Sequence, residues 1–114
     1  NVTSYSVCRI NPRPFEINLN ERHIHTCEAF LPLDNDVLAH VVPSSPEKPC
    51  LEDLKVFYIP KGTLVVMRPG VWHHAPFALN NRPVHVLVAL PEACYAKDCG
   101  ILPVDSHEKI SIEL

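Results

Sequence analysis

Twelve prolines are spread through 114 residues, and they restrict the fold of this chain more than any other feature. Proline lacks a backbone N–H, and its ring clashes with the carbonyl four residues back, so a helix running through it breaks. The segments between the prolines are short, and most alternate apolar with polar residues or are rich in β-branched ones, the pattern of half-buried strands. Residues 4–10 (SYSVCRI), 15–19 (FEINL), 21–33, 37–42 (VLAHVV), 55–59 (KVFYI), 63–67 (TLVVM), 84–90 (VHVLVAL) and 109–114 (KISIEL) read as strands. Pro32 gives the long 21–33 segment the look of an edge or bulged strand. The 84–90 run is apolar on both faces, which places it deep in a sheet or against a partner subunit. Only Cys50–Leu54, as one helical turn, and Glu92–Lys97, as a short helix, depart from this pattern. About eight short strands with almost no helix predict an all-β sandwich or barrel, in one domain over residues 1–114.

Composition narrows the function classes. A hydrophobic fraction of 46% with 20% charged residues is ordinary for a soluble globular domain. No apolar run approaches the roughly 20 residues of a membrane span, so no membrane partner is expected. The net charge is -3 and no basic cluster is present, which argues against nucleic-acid binding. Residues 1–10 show no charged leader followed by an apolar core, so no secretory signal is expected. The five cysteines (Cys8, Cys27, Cys50, Cys94, Cys99) are odd in number and form no Cys-x-x-Cys pair. That speaks against a disulfide framework or a structural zinc knuckle, and for reduced thiols in a cytoplasm.

The chemistry concentrates in two places. One is the 61–77 stretch KGTLVVMRPGVWHHAPF, in which an apolar strand runs into the Pro69-Gly70 turn and delivers Trp72, His73 and His74. The other is Glu21-Arg22-His23-Ile24-His25-Thr26-Cys27-Glu28. His23, His25 and Glu28, joined by His73 from the second stretch, have the composition of a site for Ni, Zn, Mn or Fe. On a regular strand, however, His23, His25 and Cys27 share a face while Glu28 points the other way. Either a β-bulge restores Glu28 to the set, or His25 is not a ligand, or Cys27 takes part. His73 and His74 cannot both face the interior of a regular strand, so one of them is functional there. Arg22 and Arg68 flank the two stretches and are candidates to hold a small carboxylate in a forked pair of hydrogen bonds. Trp72 serves as packing or as a substrate platform. His40, His85 and His107 lack such neighbours and read as core or surface residues. Histidines carried on strands make the jelly-roll barrel of the cupin class the expected architecture.

Glu21-Arg22-His23, Glu28-Ala29-Phe30-Leu31-Pro32-Leu33 and Gly70-Val71-Trp72-His73-His74 together resemble the ureidoglycolate lyase family of the cupin superfamily, over roughly Glu21 to Leu79. The resemblance implies a cupin-type jelly-roll homodimer that splits ureidoglycolate, a small carboxylic acid, into glyoxylate and urea. It also implies a divalent metal in some members and no organic cofactor. Two schemes follow. In one, His73 or His74 and Glu28 act directly as base and acid. In the other, His23, His25, Glu28 and His73 bind a metal, leaving His74 to move the proton. The alternatives are a non-catalytic cupin that binds a small acid or metal, and a metal-dependent isomerase or dioxygenase.

Overall fold

Alternation and β-branching carry through to the structure. The computed structural model describes residues 3–91 and 100–114, in which the proline-separated segments form short strands and two single turns of 3-10 helix. The strands are β1 (Thr3–Ile10), β2 (Glu16–Ile17), β3 (Leu19–Arg22), β4 (Glu28–Pro32), β5 (Val37–Val42), β6 (Lys55–Ile59), β7 (Val65–Met67), β8 (Trp72–His73), β9 (Phe77–Ala78), β10 (Val84–Pro91), β11 (Gly100–Pro103) and β12 (Ile110–Ser111). Leu51–Asp53 forms one of the helical turns. The helix expected at Glu92–Lys97, with Cys94 and Cys99, lies outside the described residues.

The strands build two antiparallel sheets. The first runs β1-β10-β4-β7 and the second β11-β3-β8-β5-β6, with β9 added to β5; β12 and β2 form a separate small ladder. Phe30, Met67, Val84 and Val86 of the first sheet meet Val37, Ala39 and Ile59 of the second, together with Ala78, in one buried cluster. Ile17, Leu38, Phe77 and Leu79 form a second cluster, with Phe15, Leu54, Ile110 and Ile112 packed on it. Leu38 lies between Val37 and Ala39 on β5, so alternation puts this layer on the far face of the second sheet. The protein is therefore all-β, and among the described residues its ladders do not close into a continuous barrel.

The expectation for residues 21–33 changes shape. The 21–33 segment is not one bulged strand: β3 ends at Arg22 in the second sheet, and β4 begins at Glu28 in the first. Residues 23–27 carry the chain across, and Pro32, which has no N–H to donate, is the last residue of β4, beyond the reach of β7. The doubly apolar β10 lies within the first sheet, between β1 and β4. Its outward residues continue a row of apolar side chains across the sheet: Tyr5, Ala89, Ala29 and Val66 in one register row, Val7, Leu87 and Leu31 in the next. Tyr5, Val7 and Val66 on this face are 71%, 58% and 58% exposed.

Gly70 fixes the turn into β8. Its φ of +85° is a left-handed conformation, its N–H donates to the His23 carbonyl at 2.7 Å, and a Cβ here would come within 2.5 Å of Ser44 Oγ. Gly70→Ala is therefore expected to lower stability by about 1–3 kcal/mol, measured by urea unfolding. A midpoint equal to wild type would show that the turn relaxes without cost.

Candidate active site at the join of the two sheets

Strand pairing assembles the site. On the second sheet Glu21 of β3 and Val41 of β5 flank His73 of β8 in register, so their side chains share one face. Val41 packs on the cluster between the sheets, which identifies that face as the inner one. Glu28, the first residue of β4, approaches from the first sheet, and His23 stands one residue past the end of β3. His23 Nε2 lies 3.2 Å from Glu28 Oε1, and His73 Nε2 lies 3.3 Å from Glu28 Oε2 and 3.8 Å from Glu21 Oε1. The imidazole centroids of His23 and His73 are 5.4 Å apart. His23, His73 and Glu28 are 2%, 3% and 8% exposed, so the site is a carboxylate clasped by two imidazoles in the interior, with the half-buried Glu21 beside it.

Burial alone would raise the Glu28 pKa. The N–H groups of His23 and His73, and then their charge, oppose this and hold the carboxyl down to about 2. His73 Nδ1 donates to the Val71 carbonyl at 3.0 Å, which turns Nε2 toward the carboxylates. The contacts at Glu28 are close but poorly aligned: neither Glu28 Oε1 nor His73 Nε2, both buried, has a hydrogen bond of good geometry. Protons on the imidazoles or a cation among these atoms would supply the positive charge that a buried carboxylate requires.

The donors suit a metal ion. Glu21, His23 and His73 present ligand atoms within 4.8 Å of one another, and Glu28 faces both histidines. Two imidazoles with one or two carboxylates match the preferences of Zn, Ni, Mn or Fe. The Val71 carbonyl on His73 Nδ1 is the kind of outer partner that orients a ligating histidine.

The structure does not bring every candidate to this point. His25 and Cys27 are exposed in the crossing segment, because β3 stops at Arg22 and the shared strand face ends with it. Arg22 donates to the Ser45 and Pro46 carbonyls at 2.5 and 3.1 Å and stacks 4.2 Å from the Trp72 ring centroid. Trp72 is buried and donates to Ser45 Oγ at 2.9 Å, so this pair pins the 43–49 loop. Arg68 is exposed. His74 follows His73 and lies half-buried; burial, then the Arg13 charge, holds its imidazole below the usual range. Of the remaining histidines, His85 pairs with Asp34 at the surface (2.6 Å) and His107 is exposed. His40 is buried and bonds Asn20 Oδ1 at 2.7 Å. The sequence reading missed Glu21 as a member of the cluster, although Glu21-x-His23 has the i, i+2 spacing that puts both on one strand face.

Comparison with known proteins supplies the context. The family model described as ureidoglycolate lyase matches residues 1–111. The chain belongs to the ureidoglycolate lyase family. A ureidoglycolate lyase of Azotobacter vinelandii is 35% identical over 78 residues, which are 68% of this chain and 47% of that protein. The chain thus spans about half the length of the curated relative it matches. Among solved structures, Peruvianin-I, a cysteine peptidase from Thevetia peruviana latex, superposes with a TM-score of 0.55 at 12% identity, covering 90% of this chain and 55% of that one. That likeness concerns the fold alone. Within the ureidoglycolate lyase family assignment, the matched region contains the whole Glu21, His23, Glu28 and His73 cluster.

His40 gives this family member a measurable acid sensitivity. Burial, then the charges of His74, His73 and Arg13, push its imidazole down to about 4, whereas an unfolded histidine titrates near 6.5. The unfolded chain therefore takes up the proton first, and the stability from a neutral buried His40 is lost as pH falls from about 6.5 to about 4. The loss should be on the order of 3 kcal/mol. Urea unfolding across that range should show a shallower pH dependence in His40→Gln, and an unchanged slope would contradict the assignment.

Proposed function

We propose that this protein is a ureidoglycolate lyase-like enzyme acting on a small carboxylic acid, with its reaction centre at Glu21, His23, Glu28 and His73. The observation that carries the reading is the buried Glu28 carboxylate between two imidazoles, in a chain of this family. The two facing sheets are read as the halves of a cupin-type jelly roll. The free thiols of Cys8, Cys27 and Cys50 support a reducing, cytoplasmic setting.

Cleaving ureidoglycolate moves one proton from oxygen to nitrogen. The hydroxyl proton leaves as the carbonyl forms, the carbon–nitrogen bond breaks, and the urea nitrogen takes a proton. His23, Glu28 and His73 are the residues that would hold a divalent cation, which when bound polarises the hydroxyl and carboxylate oxygens of the acid. Glu21, less buried than these three, is assigned the proton transfer: it accepts from the hydroxyl and returns the proton to the leaving nitrogen. Glu28, held at about 2, stays ionised and keeps both imidazoles oriented. His74, which follows β8 and lies near His40 and Arg13, is assigned no contact with substrate.

His73→Ala and Glu21→Gln should each lower kcat/KM for glyoxylate release by about 100-fold or more with the far-UV spectrum unchanged. His73→Ala should also reduce copurifying metal, while Glu21→Gln retains it. Full activity in both variants would sink the assignment. Loss of activity in a protein that never contained metal would return His73 and Glu28 to direct acid–base roles.

We also propose a homodimer, paired through the apolar outer face of the first sheet, where Tyr5, Val7, Ala29, Leu31 and Val66 lie in rows. A two-fold axis brings such a patch against itself, so one added charge is encountered twice. Val7→Asp should convert a dimer to a monomer in light scattering at micromolar concentration, and a wild-type monomer under the same conditions would end the proposal.

A further inference from the structure

The sandwich is open on one side. β7 ends the ladder of the first sheet and β6 that of the second, and between them lies a cleft of about 480 Å³. Phe30, Val65 and Met67 form one wall, and Ala39, Val41 and Ile59 the other. Four of these six belong to the inter-sheet core cluster, and the other two pack against it. The lining is almost wholly apolar, and its one charged side chain is Arg68. Among the described residues the guanidinium has no hydrogen bond or ion pair, and the side chain is exposed.

The cleft has a direction. Met67 is the register partner of Glu28, and Val41 that of His73, so Arg68, Met67 and Val41 mark the end near the buried carboxylate. Phe57 and Pro60 mark the other end. Tyr58 borders the cleft as well, but as the register partner of Leu38 it sends its side chain to the far face, where the hydroxyl donates to Asp36. A cavity of this size with apolar walls and one cation is built for an amphiphile of opposite charge.

We propose that this cleft binds an apolar monocarboxylate, with its carboxylate in the fork of Arg68 and its aliphatic or aryl body running toward Phe57 and Pro60. The guanidinium matches a carboxylate with two parallel hydrogen bonds, and each methylene taken from water adds roughly fourfold in affinity. This goes beyond the lyase reading. It stands or falls by binding alone, whether or not the histidine cluster turns anything over.

The test is a calorimetric titration of the whole protein with acetate, butanoate, hexanoate and octanoate, with octanamide as the uncharged control. Affinity should rise along the series, octanoate binding at least about 100-fold tighter than acetate. Arg68→Gln, an exposed substitution, should weaken octanoate by about 10-fold and leave octanamide unchanged. A flat series, or octanamide binding as well as octanoate to the unaltered protein, overturns the proposal. So does a dimer that Phe57→Asp splits while none of the acids saturates, because a second copy then fills the cleft.

Discussion

A carboxylate taken out of water must have positive charge beside it, and in this protein that requirement falls on Glu28. Placed in the interior as the first residue of β4, it is stable as an anion only because His23 and His73 reach it at 3.2 and 3.3 Å. His73 belongs to the opposite sheet, and His23 to the first step of the segment that leaves it. The ionic contact therefore reports on the mutual placement of the whole sandwich: a shift of one sheet against the other by an ångström or two would leave the carboxylate without compensation. The apolar core between the sheets supplies cohesion, and the Glu28 contacts demand a particular alignment.

Three local devices hold that alignment. Gly70 grips the His23 carbonyl from the turn before β8, so the crossing segment and the His73 strand are tied at one point. Arg22, stacked on Trp72 and bonded to the Ser45 and Pro46 carbonyls, fastens the 43–49 loop over the outer side of the same strands. Asn20 and His40, the residues next to Glu21 and Val41, bond each other on the far face. The polar groups behind the sheet thus bear on the same three strands, β3, β8 and β5, that carry the histidine cluster in front.

Much of this was legible in the sequence because it rests on local pattern. Prolines and alternation gave the all-β class and most strands, and the clustering of His23, Glu28 and His73 marked the place where they meet. The three-residue gap from His25 to Glu28 was misleading for a physical reason: strand periodicity applies only while a strand lasts, and whether Glu21 to Leu33 is one strand or two depends on which sheet receives each half. No local signal records that choice. For the same reason His25 left the set once β3 ended at Arg22. Glu21 was readable from its i, i+2 relation to His23 and was overlooked in favour of a histidine. His40 looked like any isolated strand histidine, but it lies two residues from Leu38 on the far face, where the distant residues 15, 110 and 112 build a second apolar layer.

Adjacent residues of a strand face opposite ways, and β8 is only Trp72 and His73, with His74 directly after. A single inserted or deleted residue in the short turn from Pro69 to Val71 would slide this strand by one position. His74 or Trp72 would then take the place between Glu21 and Val41, and His73 would pass to the other side with Asn20 and His40. Turns usually tolerate changes of length better than strands do. This one behaves like a gear tooth, and, Gly70 apart, descendants of the chain can change the letters of the turn far more freely than their number.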